Sequence, residues 1–180
     1  MILFINACVR RASRTKRLAD RLLSSQGEPV TEIRLGETEF PPTDEAYLLR
    51  RDRLIAEKSY DDPMFAHARQ FAAADRIVIA APYWDLSFPA VLKQYLEKIN
   101  VPGVTFCYTP EGALQGLCRA KELIYVSTAG GTFVPDEFGF GYVKTLAQTF
   151  FGICNVRHVQ AAGLDLDGAD PEQILRNCPL

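Results

Sequence analysis

Short apolar, β-branched runs recur along the chain, and between them lie segments whose apolar residues come at helical spacing. The runs are Ile2 to Asn6, Val30 to Leu35, Arg76 to Ala81, Glu122 to Thr128 and Val156 to Ala161, each of strand length. Helices are predicted over Thr15 to Gln26, about Asp44 to Lys58, Pro63 to Ala74, Phe88 to Asn100 and about Phe138 to Gly152, with a short last one after Pro171. In the first of these, Leu18, Leu22 and Leu23 share one face while Lys16, Arg17, Asp20 and Arg21 stay in water. Strands that alternate with helices need crossover connections, so the expected fold is α/β: a doubly wound, five-stranded parallel sheet with helices on both faces. Cover on both faces explains why the first, third and fourth strands are apolar almost throughout. The pattern breaks between Val101 and Gly116, where Pro102, Gly103 and Pro110 punctuate the chain. That stretch reads as a long functional loop or a small hairpin over the ligand crevice.

At 180 residues, 48% hydrophobic and 23% charged, residues 1–180 are expected to form a single domain with a sizeable core. Twenty Lys and Arg against 22 Asp and Glu leave a formal net charge of -2. No global field therefore favours nucleic acid or an anionic membrane, and any anion site must be local. Met1 to Asn6 is shorter than a signal-peptide core, and no run approaches the roughly 18 apolar residues of a membrane span, so a cytoplasmic protein is expected. The five cysteines are scattered, with no Cys-x-x-Cys pair and no Cys/His cluster, which points to reduced thiols and to no metal site.

Candidate chemistry gathers where strands end, because in an open parallel sheet the ligand crevice lies outside their carboxyl ends. After the first strand, Ser13 and Thr15 offer hydroxyls, Arg10 and Arg14 offer charge, and a helix begins whose first amides lack intrahelical acceptors. Ser13 equally suits a plain N-cap, with the arginines as surface charges. After the third strand comes Pro82-Tyr83-Trp84-Asp85-Leu86, bracketed by Pro82 and Pro89, with the chain's only tryptophan. Indoles more often fill interiors, but a place at a strand end favours a flat ligand-facing surface. After the fourth strand, Ser127-Thr128-Ala129-Gly130-Gly131 combines hydroxyls with glycines that admit close backbone approach, or makes an ordinary turn. These three strands are neighbours in the expected topology, so their loops converge.

Taken together, the motifs resemble the FMN-dependent NAD(P)H:quinone oxidoreductase and azoreductase family, of flavodoxin-like fold. Ser13-Arg14-Thr15 matches its S-x-S/T element. Pro82-Tyr83-Trp84-Asp85-Leu86-Ser87-Phe88-Pro89-Ala90-Val91-Leu92-Lys93 matches its long aromatic motif, Gly103-Val104-Thr105-Phe106 its G-x-T-F segment, and Ser127 to Gly131 its S-x-G-G loop. The resemblance implies that Ser13, Arg14 and Thr15, with Arg10 as an extra contact, hold the FMN phosphate. Pro82, Tyr83, Trp84, Asp85 and Leu86 would run along the flavin ring, and Ser127, Thr128, Ala129, Gly130 and Gly131 would meet its pyrimidine side. Asp85 stands where the family has asparagine; a carboxylate only accepts hydrogen bonds and repels an anionic ring. The implied activity is two-electron reduction of quinones, azo compounds or similar planar acceptors, by ping-pong hydride transfer from NADH or NADPH. No side chain is assigned as an obligatory acid or base, since the cofactor carries the chemistry.

The resemblance also implies a homodimer, with Phe106, Tyr108, Phe133 and Phe138 lining a shelf for the acceptor or serving as core or interface packing. Tyr125 is read as core. The competing reading is a non-enzymatic FMN electron carrier like a flavodoxin, although residues Ala7 to Thr15 lack the compact T-x-T-G-x-T phosphate loop. An iron-sulfur flavoprotein would need closely spaced thiolates. A hydrolase built on Ser127 and His158 lacks both Gly-x-Ser-x-Gly and a visible third member, and both His67 and His158 read as structural.

Overall fold

Ile2–Asn6 forms β1, and all five of its residues are buried. In the computed structural model, which describes all of residues 1–180, the other strands are β2 (Val30–Arg34), β3 (Arg76–Ala80), β4 (Phe106–Tyr108), β5 (Leu114–Gly116), β6 (Glu122–Thr128) and β7 (Asn155–Ala161). The helices are α1 (Arg14–Ser24), α2 (Glu45–Ala56), α3 (Ala66–Ala73), α4 (Ala90–Ile99), α5 (Phe140–Leu146) and α6 (Pro171–Asn177). Five strands pair in the order β2-β1-β3-β6-β7, every pair parallel, as expected for a doubly wound sheet. The three strands expected to be neighbours are therefore adjacent: Asn6 stands opposite Ala80, and Ala80 opposite Val126.

Side-chain alternation along the strands divides the interior in two. Leu3, Ile5, Ile77, Ile79, Leu123 and Tyr125 pack under α2 to α5, together with Leu54, Phe71, Tyr95, Leu96 and Phe151. Ile2, Phe4, Val78, Ile124 and Val126 face the other way, against Leu18 and Leu22 of α1 and Leu175 of α6. Tyr125 is core, as its sequence context suggests.

Element ends follow local chemistry. Ser13 caps α1, its Oγ accepting from Lys16 N at 3.3 Å. Pro89 stands just before α4, so that helix opens at Ala90 rather than Phe88. Helix α5 opens at Phe140 rather than Phe138 and passes into a π-helical turn, Ala147–Phe151, closed by Gly152 at φ 74°.

The largest departure from expectation concerns residues Val101 to Gly116. They do contain a hairpin, β4 paired antiparallel with β5, but it does not lie over the crevice. Helix α4 returns to the amino edge of the sheet before the hairpin begins, and the chain enters β6 from that edge, with Lys121 N donating to Asp75 O at 3.2 Å. Gly116 lies against Phe151 and Gly152 so closely that a Cβ there would overlap their backbone. Phe106 stacks edge-on to Phe150, ring centroids 5.0 Å apart. The hairpin belongs to the end of the molecule opposite the strand termini.

Candidate functional site

A cavity of about 430 Å³ opens at the carboxyl edge of β1, β3 and β6, within the roughly 300–1,000 Å³ of small-ligand sites. Its floor is the start of α1. The amides of Arg14 and Thr15 donate to no protein acceptor, as the first turn of a helix requires, and they present the positive end of the helix to the cavity. Ser13 and Arg14 line the same end, and Arg10 stands at its lip without an ion-pair partner. Thr15 is buried, and its hydroxyl is 2.6 Å from that of Thr128, tying the loop after β1 to the loop after β6.

Pro82, Tyr83 and Trp84 form one wall. Tyr83 N donates to Thr128 O at 3.0 Å, and Tyr83 Oη donates to Pro135 O at 3.3 Å, so the ring is held at both ends. Burial, and after it the carboxylates of Glu137 and Asp136, push the Tyr83 phenol above its ordinary range. Beyond Trp84 the chain makes a two-residue turn, with Trp84 N to Ser87 O at 3.1 Å and Ser87 N to Trp84 O at 2.8 Å. Asp85 and Leu86 take left-handed backbone there, φ 51° and 66°, and their amides have no protein acceptor. They sit at the rim, outside the cavity lining. The opposite wall is Thr128, Ala129 and Gly130.

Most of the expected residues thus meet in one place: Arg10, Ser13, Arg14, Thr15, Pro82, Tyr83, Trp84, Thr128, Ala129 and Gly130. Gly131 follows directly, its carbonyl accepting from Gly163 N at 2.9 Å. Ser127 does not reach the cavity. It alternates with Thr128, so its side chain faces the Tyr125 side of the sheet, where Oγ is 2.8 Å from His158 Nε2. His158 Nδ1 lies 3.5 Å from Asp136, which supplies a third member in line. That arrangement is no hydrolytic triad, because Ser127 is 1% exposed and cannot reach a substrate. Burial holds His158 below the usual histidine range, partly offset by Asp136.

Of the residues expected to line an acceptor shelf, Phe133 is 78% exposed on the loop after β6, whereas Phe106 is buried at 5%. Phe106 and the exposed Tyr108 lie on the hairpin at the far edge of the sheet, and neither lines the cavity of its own chain. Sequence reading missed Val9, Ala12, Leu164 and Asp165. The last two come from a fourth loop, after β7. Gly163 was the available signal, since it follows the last strand as Gly130 follows β6. No helix is long and apolar enough to cross a membrane.

An FMN-dependent NADH:quinone oxidoreductase of Clostridium acetobutylicum is 45% identical over 122 residues, which are 65% of this chain and 60% of the relative. One from Clostridium beijerinckii is 41% identical over 121 residues, 66% of this chain and 60% of the relative. The matched segments span about 60% of the length of these curated relatives. Among solved structures, an azoreductase from Bacillus anthracis superposes with a TM-score of 0.83 at 26% identity, covering 97% of this chain and 92% of the other. The model of the flavodoxin-like fold family matches residues 1–178, and the chain belongs to that family.

Proposed function

We propose that this crevice binds FMN and that the protein uses NADH or NADPH for the two-electron reduction of quinones, azo compounds or similar planar acceptors. One observation carries the reading: the free amides at the start of α1, the Pro82–Trp84 wall and the Thr128–Gly130 wall enclose a single cavity. The residues present fit that cofactor. A phosphate needs donors, and the amides of Arg14 and Thr15 have no other acceptor. A ring with polar edges needs flat walls and amides, and Tyr83, Trp84 and the unpaired amides of Asp85 and Leu86 offer both.

In this reading Ser13, Arg14 and Thr15 hold the phosphate, with Arg10 beside them. Pro82 to Leu86 run along the ring, and Thr128 to Gly131 meet its other edge, while the Ser127 side chain serves packing. Bound flavin supplies the acceptance and donation of hydride. The protein orients it, excludes water from one side and sets the charge near its edge. Phe133 extends the exposed rim over which an acceptor would lie. Leu86, Phe133 and Phe138, exposed around the crevice, favour a homodimer in which a second copy covers them. The modest net charge of -2 and the absence of a membrane-crossing helix accord with a cytoplasmic protein.

Anaerobic mixing of the FMN-loaded protein with NADH or NADPH tests the activity. Rapid bleaching of the flavin, reversed by a quinone, is expected. A flavin that responds only to one-electron donors would identify an electron carrier instead.

A further inference from the structure

Arg14, the cation assigned above to the phosphate, is already engaged. Its Nη1 donates to Asp165 Oδ1 at 2.6 Å and lies 3.5 Å from Leu164 O, while its remaining nitrogens have no protein acceptor. The other carboxylate oxygen of Asp165 lies against Gly130, where a Cβ would overlap it. Backbone bonds fix the loop that carries this carboxylate. Asp165 N donates to Gly130 O at 3.0 Å and Leu164 N to Ala129 O at 3.2 Å. These bonds hold Asp165 at the edge of the crevice.

The pair itself is open to water, with Arg14 39% and Asp165 65% exposed, and ion pairs of that kind contribute little to stability. A phosphate offers a guanidinium more charge and more acceptor oxygens than a carboxylate does. We propose that Asp165 is a specificity-determining residue: it competes with the phosphate of the incoming ligand for Arg14. A phosphorylated flavin brings its phosphate to a guanidinium whose charge Asp165 already shares, and the carboxylate, held beside the phosphate, repels it. Asp165 thus narrows the preference for FMN over the uncharged-tail flavin riboflavin and keeps the cofactor exchangeable. This inference rests on the flavin reading of the crevice.

Titration of the flavin-free protein with FMN and with riboflavin, followed by flavin fluorescence, tests it. In Asp165→Asn, FMN affinity is expected to rise about tenfold at low salt, the equivalent of one charge-assisted hydrogen bond, with riboflavin moving less than about twofold. The gain should shrink as salt screens the charge, and fall below about threefold in an Arg14→Gln background, where only the direct repulsion between carboxylate and phosphate remains. FMN binding that weakens or stays unchanged in Asp165→Asn, or that moves together with riboflavin binding, would overturn the proposal while leaving the flavin reading intact. A wild-type protein that binds neither flavin would overturn both.

Discussion

Asp85 and Leu86 hold left-handed backbone that side chains other than glycine, asparagine and aspartate rarely adopt, and the turn keeps them there by two backbone bonds. What the strained turn provides is a pair of unpaired amides at the crevice rim, with one carboxylate among them. Replacing that carboxylate in Asp85→Asn removes a charge that opposes the reduced ring, so the midpoint potential of bound FMN should rise by roughly 10–30 mV in a spectroelectrochemical titration. At the other end of the cavity, Ser13→Ala combined with Arg14→Ala removes a hydroxyl and a charged donor. FMN binding should weaken by roughly 1.5–3 kcal/mol, read by titration, while circular dichroism reports a retained fold. Ser13 was legible as a hydroxyl opening the first helix in the loop after β1, and it proves to be both cap and cavity wall. Ser127 and Thr128 show the converse. Period-2 alternation puts Thr128 with Ile124 and Val126, and Ser127 with Tyr125, so that a motif reading by loop alone includes one hydroxyl that points the wrong way. Asp165 had no local signature, because its partner lies 151 residues away.

Among the elements, the sheet was readable nearly residue by residue. Strands covered on both faces leave uninterrupted apolar runs, and the edge strands were found by the β-branched residues they retain. The hairpin was readable as a hairpin and not as to its place. Its position depends on which edge of the sheet α4 returns to, and a linear reading of turn residues does not carry that. The consequence is testable at Gly116, where an added Cβ would meet the backbone of Phe151 and Gly152 rather than a movable side chain. Gly116→Ala should cost about 1–3 kcal/mol in urea unfolding, as overpacking does. Because the hairpin stands at the amino edge, the FMN affinity of the folded variant should remain within about twofold of wild type. A hairpin over the crevice would lose both together.

For the molecule as a whole, two half-buried histidines give stability a defined pH dependence. Partial burial holds both His67 and His158 below the ordinary histidine value of about 6.5, so the native state resists protons that the unfolded chain accepts. Stability is then fully present above about pH 6.5 and is lost as pH falls through that value, by up to about 1.4 kcal/mol per pH unit for each proton taken up. Asp62, Asp75 and Glu172, held low by their hydrogen-bonded partners, act only below the ordinary carboxylate range, so the two windows separate. Chemical denaturation from pH 7.5 to 5.5 should show the slope, and His158→Gln should flatten it. The central claim concerns the carboxyl edge, where loops from four strands enclose one cavity floored by a helix N-terminus. Its most direct measurement is the visible spectrum of the purified protein, with the chromophore identified after denaturation and FMN added back. The account predicts a yellow protein that releases FMN and recovers its colour and heat stability on reloading. A colourless protein whose melting temperature does not change with added FMN would contradict it.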